Sequence, residues 1–288
     1  MTMQHDDNDD RDSIDWEDAF QNSAYIQDAE IYPTKWATRA AVFRQKYAAY
    51  SQLDIAYGKL PEEKLDLFWP SSSFSSSPKG VAIFVHGGYW LKFDKSYWSH
   101  FAKGALKQNV AVAMPSYPLA PHASHKDMSK AIANAIIKAS EHVQGDIFLA
   151  GHSAGGQLVT SMICQNSPLP PSILKKVKST LSISGLHDLQ PLRQNSMNAQ
   201  FKLTHSTAYE ASPAMHGLSP HLPDDFSATA WVGAKERPEF LRQSALLVEK
   251  WSCLGGNITL VIEAEKHHFN ILENLCNPNS KLVKAWVV

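Results

Sequence analysis

The sequence predicts an α/β fold: a mostly parallel central sheet of about eight strands, covered by helices on both faces and preceded by an N-terminal helical segment. Three observations predict it. From residue 81 onward short, wholly apolar runs recur, and strands without polar alternation are those buried on both faces of a sheet. Between them lie stretches whose apolar residues repeat every three or four positions, as covering helices require. Two of the runs end in glycine-rich turns, and the carboxyl ends of strands are where such sheets collect their chemistry.

Taken in order, residues 1–12 carry five Asp against one Arg and read as a disordered acidic tail. The rest, 13–288, reads as a single domain, of which 13–50 is a helical segment able to cap a site. In it Trp36, Ala40, Phe43 and Tyr47 fall at helical spacing. Leu53–Tyr57 and Lys64–Trp69 alternate, and read as strands joined through Gly58–Pro61. The serine-rich stretch Ser71–Pro78 reads as a polar loop. Six apolar strands follow: Val81–Val85, Val110–Met114, Ile147–Ala150, Thr180–Ser184, Thr229–Val232 and Ile258–Ile262. Met128, Ile132, Ile136 and Ala139 mark a helix before the third of these, and Leu158, Val159, Met162 and Ile163 one after it. Phe240, Leu247 and Trp251 mark a helix between the last two.

Composition narrows the function. Lys+Arg 27 against Asp+Glu 28 leaves a net charge of −1, so no global field gathers nucleic acid or anionic lipid. Cys164, Cys253 and Cys276 are odd in number and lack metal-site spacing, which argues against a disulfide framework or a structural zinc. No apolar run approaches the roughly 18 residues of a membrane span. The expectation is a reduced, cytoplasmic, soluble protein acting on a small molecule, with no cofactor or metal fingerprint, and nothing that indicates a homo-oligomer.

The strand Ile147–Ala150 runs into Gly151-His152-Ser153-Ala154-Gly155-Gly156 and then a helix, which is G-x-S-x-G in the strand–turn–helix context that gives the motif meaning. A tight turn there forces strained backbone geometry on Ser153, and small residues at 151 and 155 let the chain pass closely around it. Val81–Val85 ends in His86-Gly87-Gly88-Tyr89-Trp90, where glycines let backbone N–H groups approach a developing oxyanion. The candidate donors are the segment Gly87, Gly88, Tyr89 and the amide of Ala154. Tyr89 and Trp90 are candidate substrate-binding walls.

These residues resemble the α/β-hydrolase superfamily, and within it the branch of esterases and kynurenine formamidases. HGGYW matches that branch's HGGxW, YPLAP (117–121) follows the next strand, and GHSAGG closes the set. Weaker echoes (SGLHDLQPL, RPEFLRQS, HHFNILENL) extend the resemblance over most of the chain beyond the tail. It implies a serine hydrolase fold and a small acyl or formyl substrate such as N-formylkynurenine. It also implies a Ser, acid, His order along the chain. The histidine directly before Phe269 is His268, with His267 as a neighbour or capping residue. The acid position matches Glu236, where the family carries Asp, and Asp188 is the fallback. A short-chain carboxylesterase is the alternative activity. A non-catalytic ligand-binding protein of the same fold is a third reading, to which only the Asp-to-Glu departure lends weight.

Overall fold

The structure is a computed structural model that describes residues 14–71 and 77–287. The acidic tail and residues 72–76 of the serine-rich loop lie outside the described residues. The strands are β1 (Ser51–Ala56), β2 (Lys64–Phe68), β3 (Gly80–Val85), β4 (Ala111–Pro115), β5 (Asp146–His152), β6 (Val177–Ile183), β7 (Ser227–Gly233) and β8 (Ile258–Glu263). They form one sheet in the order β1-β2-β4-β3-β5-β6-β7-β8. β1 and β2 run antiparallel to their neighbours, and every pairing from β4 to β8 is parallel. The helices are α1 (Trp16–Ala19), α2 (Ile31–Lys46), α3 (Lys103–Lys107), α4 (His125–His142), α5 (Ala154–Ser161), α6 (Pro171–Leu174), α7 (Asn198–Phe201), α8 (His205–Glu210), α9 (Pro238–Cys253) and α10 (Lys281–Val287).

The period-2 geometry of a strand divides its side chains between two cores. In β3, Val81, Ile83 and Val85 join Met128, Ile132, Leu158, Phe240 and Leu247, the inner stripes of α4, α5 and α9. Ala82 and Phe84 point the other way, into Trp36, Phe43, Leu106, Leu282 and Trp286 from α2, α3 and α10. Both faces of the central strands are therefore sealed, which fits the apolar sequences of β3 and β4. Trp36 and Trp98 stand 4.8 Å apart between ring centroids at 2% and 1% exposure, as core residues.

The N-terminal segment is helical in pieces, α1, a 3-10 turn and α2; Pro33 lacks an N–H and fits only a first turn, so α2 begins two residues before it. Two features differ from the sequence reading. β8 is an edge strand with Ile262 at 51% exposure, so its apolar sequence does not mean burial on both faces. The segment between β6 and β7 folds into α7, α8 and short 3-10 turns. These elements are too short to leave a periodic signature in the sequence.

Candidate active site

β5 delivers Ser153 at its carboxyl end, where α5 begins. Ser153 sits at φ 55°, ψ −119°, a region that ordinary side chains avoid and that tight functional turns enforce. The surroundings leave it no alternative. A Cβ on Gly151 would lie 2.0 Å from the carbonyl oxygen of Gly155, and one on Gly155 would lie 2.0 Å from that of Val85 in β3. Helix α5 thus starts in contact with the neighbouring strand, and Ser153 is held by its own N–H to Ile183 O at 2.8 Å. Among the described residues its hydroxyl has no hydrogen-bond partner, which leaves it free for chemistry.

The loop after β3 stands beside it. A Cβ on Gly87 would meet Ser153 Cβ at 2.9 Å. Beyond Gly87 the chain turns through three successive positive φ values: Gly88 at 114°, Tyr89 at 52° and Trp90 at 56°. Among the described residues the amides of Gly88, Tyr89 and Ala154 meet no acceptor, the condition an oxyanion site requires. Tyr89 is half-buried, and its hydroxyl donates to Phe20 O. Burial raises its phenol above the ordinary tyrosine range, with the nearby Glu236 and Glu239 adding to the effect, so the ring stays neutral. Trp90 departs from expectation. At 0% exposure it is a scaffold ring, not an open wall. Its indole N–H donates to Gln157 Oε1 at 3.2 Å, and its ring packs edge-on to His125 and Phe201.

The candidate base and acid come from the loops after β8 and β7, which are zipped together: Ala234 N donates to Glu263 O and Lys235 N to Lys266 O, each at 2.9 Å. Across this seam His268 Nδ1 lies 2.6 Å from Glu236 Oε2, with both side chains buried. The His268 ring packs 4.6 Å from that of His152, the residue before Ser153, and edge-on to Phe240 at 4.8 Å. His152 also fixes the backbone there, since its Nε2–H donates to His268 O at 2.8 Å. Complete burial drives the His152 imidazole well below the usual histidine pKa, with the adjacent His268 contributing, so His152 is uncharged. Among the described residues His268 Nε2 is left without a partner.

Glu236 is fastened on every side. Its Oε1 accepts from Ser184 Oγ at 2.5 Å and from Gly233 N at 2.8 Å, and its Oε2 lies 3.5 Å from Asn22 Nδ2. Ser184 itself sits at φ 52°. Asp188, the fallback acid, is elsewhere: its amide donates to Gln243 Oε1 at 2.6 Å and its carboxylate faces Arg242 at 3.5 Å. His267 caps the following turn, with its ring Nδ1 accepting from Phe269 N at 3.2 Å.

Three supporting residues escaped sequence reasoning: Ser184, His152 and Asn22. The first two stand inside quoted motifs and could have been singled out there. Asn22 carried no signal, because its contact spans 214 positions. It belongs to an N-terminal arm laid over the acid loop. Arg237 N donates to Asn22 Oδ1 at 2.8 Å, Asp18 pairs with the Arg237 guanidinium, and Asn195 Nδ2 donates to Trp16 O at 2.8 Å.

Comparison with known proteins identifies the family and the fold. A family model described as the α/β hydrolase fold matches residues 82–268. Kynurenine formamidase of Danio rerio is 28% identical over 253 residues, covering 86% of this chain and 85% of that protein. The crystal structure of a candidate thioesterase from Silicibacter sp. TM1040 is 41% identical, covers 96% of this chain and 100% of its own, and superposes with a TM-score of 0.87. Esterase B from Lactobacillus rhamnosis shares the fold at 17% identity and a TM-score of 0.63, with 92% and 91% of the two chains covered.

Proposed function

The chain belongs to the α/β-hydrolase fold family, and from that premise we propose that it is a serine hydrolase using Ser153, His268 and Glu236 on a small formamide of the N-formylkynurenine type. The observation that carries the reading is the buried Glu236–His268 pair at 2.6 Å beside a strained serine with an unpartnered hydroxyl. Ser153 Oγ attacks the formyl carbonyl as His268 Nε2 takes its proton, and Glu236 keeps the imidazole in the tautomer that can accept it. The oxyanion takes the amides of Gly88, Tyr89 and Ala154, each such donor contributing about 3 kcal/mol in comparable sites. His268 then returns the proton to the departing arylamine. Water, deprotonated by the same imidazole, releases formate and restores the serine. The Tyr89 ring, half-buried on the oxyanion loop, provides the aromatic surface such a substrate would meet.

The formamide follows from HGGYW and GHSAGG and from the similarity to the Danio rerio enzyme over most of both chains. The 41% identity to a candidate thioesterase favours a second reading, hydrolysis of a short acyl ester or thioester by the same residues. The three cysteines are free thiols, which supports a reducing, cytoplasmic setting. Among the described residues no helix is long and apolar enough to cross a membrane. The test is kcat/KM for N-formylkynurenine beside p-nitrophenyl acetate and an acetyl thioester on one preparation. A strong preference for the formamide upholds the first reading. Preference for either acyl substrate, with the formamide scarcely turned over, replaces it with the second. Turnover of none of them, together with an unlabelled serine after fluorophosphonate treatment, returns the protein to the class of non-catalytic binders.

A further inference from the structure

β6 lies between β5, which ends at the candidate nucleophile, and β7, which leads to the candidate acid. The residue after it, Ser184, is fully buried and stands between the two. On one side Ile183 O accepts from Ser153 N at 2.8 Å, and on the other Ser184 N donates to Trp231 O at 2.7 Å. The side chain reaches further in the same direction, where its Oγ donates to Glu236 Oε1 at 2.5 Å.

The identity of residue 184 runs against its backbone. At φ 52° it lies in the left-handed region, where glycine is at ease and a side chain is strained. Glycine is the next residue, and there it answers to space: a Cβ on Gly185 would lie 2.1 Å from Ser182 Oγ and 2.7 Å from His187 Cε1. A turn alone would be better served by glycine at both positions. What glycine at 184 would lose is the hydroxyl, and the hydroxyl faces a charge. Glu236 is buried, and among the described residues no lysine or arginine pairs with it. A buried carboxylate without such a cation depends on hydrogen-bond donors. With Oε1 occupied by Ser184 Oγ and Gly233 N, the carboxylate is kept from turning, and Oε2 stays 2.6 Å from His268 Nδ1.

We propose that Ser184 is a positioning residue of the hydrolase: its hydroxyl locks the rotation of the Glu236 carboxylate and thereby the orientation of the His268 imidazole. This role rests on the reading of Ser153, His268 and Glu236 as the reacting set. Ser184 acts through Glu236 alone, so its loss should slow the activated serine without changing how a reagent or substrate is bound.

The experiment is fluorophosphonate labelling of the full chain, with the maximal labelling rate and the half-saturating reagent concentration measured separately for wild type, Ser184→Gly and Ser184→Ala. Glycine relieves the backbone and alanine keeps its strain, but both lack the hydroxyl. Both are expected to label more slowly by about tenfold or more at saturation, the worth of one hydrogen bond to a charged group. Half-saturation and the circular dichroism spectrum are expected to stay as in wild type. Wild-type labelling by Ser184→Gly overturns the proposal, whatever alanine does, because the position then serves only the turn. A slower rate accounted for by a raised half-saturating concentration also overturns it, since Ser184 then shapes the pocket. Loss of the wild-type spectrum in both variants makes the hydroxyl a prop of the fold and overturns it as well. A wild type that takes no label is a different failure: it removes Ser153 as nucleophile, and the role of Ser184 falls with it.

Discussion

At the scale of single residues, the proposed acid is fixed by the groups that donate to it. Ser184 Oγ–H and Gly233 N–H both donate to Glu236 Oε1, so in Glu236→Gln the amide oxygen is held at that position. The amide nitrogen then faces His268 Nδ1, a donor opposite a donor. The imidazole must move its proton to Nε2, where it can no longer accept from Ser153. The expected outcome is a fall of about 10³–10⁴ in kcat with KM little changed, measured by steady-state kinetics. Ser153→Ala should lose about 10⁶ in kcat and all fluorophosphonate labelling. Gly87→Ala places a methyl 2.9 Å from Ser153 Cβ and 2.8 Å from His152 O, and should cut kcat more than tenfold while the protein still folds. These positions were legible because short motifs carry local geometry: GHSAGG encodes a turn, and HGGYW encodes a loop. Trp90 was misread for a related reason, since a motif names a residue but not the side on which its ring is packed.

At the scale of elements, the N-terminal arm is the part the sequence concealed. Its helical texture was visible, but its place over the acid loop depends on pairs such as Asn22 with Glu236 and Asp18 with Arg237, which no local pattern encodes. Asn22 is buried, accepts from Arg237 N at 2.8 Å and lies 3.5 Å from the acid. Asn22→Ala therefore leaves the half-buried Arg237 amide unpaired, at a cost of about 1 kcal/mol, and loosens the carboxylate proposed to orient His268. We expect a lowered thermal midpoint together with a roughly tenfold fall in kcat and a displaced acid limb of the pH–rate profile. Reduced stability with kcat and the profile intact would make the arm a brace only. The central strands β3, β4 and β5 were legible because their sequences are mostly apolar, whereas the start of β6 at Val177 was not, because Lys178, Ser179 and Thr180 break its apolar texture. β8 shows the limit of that inference: its place at the edge is set by topology, not by its own sequence.

At the scale of the whole molecule, His86, His100, His125, His152 and His187, among the described residues, are buried in uncharged form. Burial lowers His86 and His125 to about 4 and His100 and His187 to about 3, and takes His152 well below the ordinary value. In the unfolded chain each binds a proton near pH 6.5, so below that pH the unfolded state carries more protons than the folded one. Stability is therefore full above about pH 6.5 and falls as the pH drops toward 4, each such group contributing up to about 1.4 kcal/mol per pH unit. Thermal midpoints measured from pH 7.5 to 4.5 should decline steadily, beginning before carboxylates titrate. A flat profile down to pH 5 would contradict the uncharged state of these rings.

The arm has a further consequence, for biosynthesis. Its partners lie far downstream: Trp16 waits for Asn195, and Asn22 for Glu236, which come 179 and 214 residues later. At about 5–20 residues per second a ribosome needs roughly ten to forty seconds to cover the longer gap. During that interval the arm's Trp16 and Phe20 side chains, buried in the finished protein, have no destination. A nascent chain stalled before residue 236 should expose them to chaperones and hydrolyse nothing, so that the first segment made is among the last to be put to use.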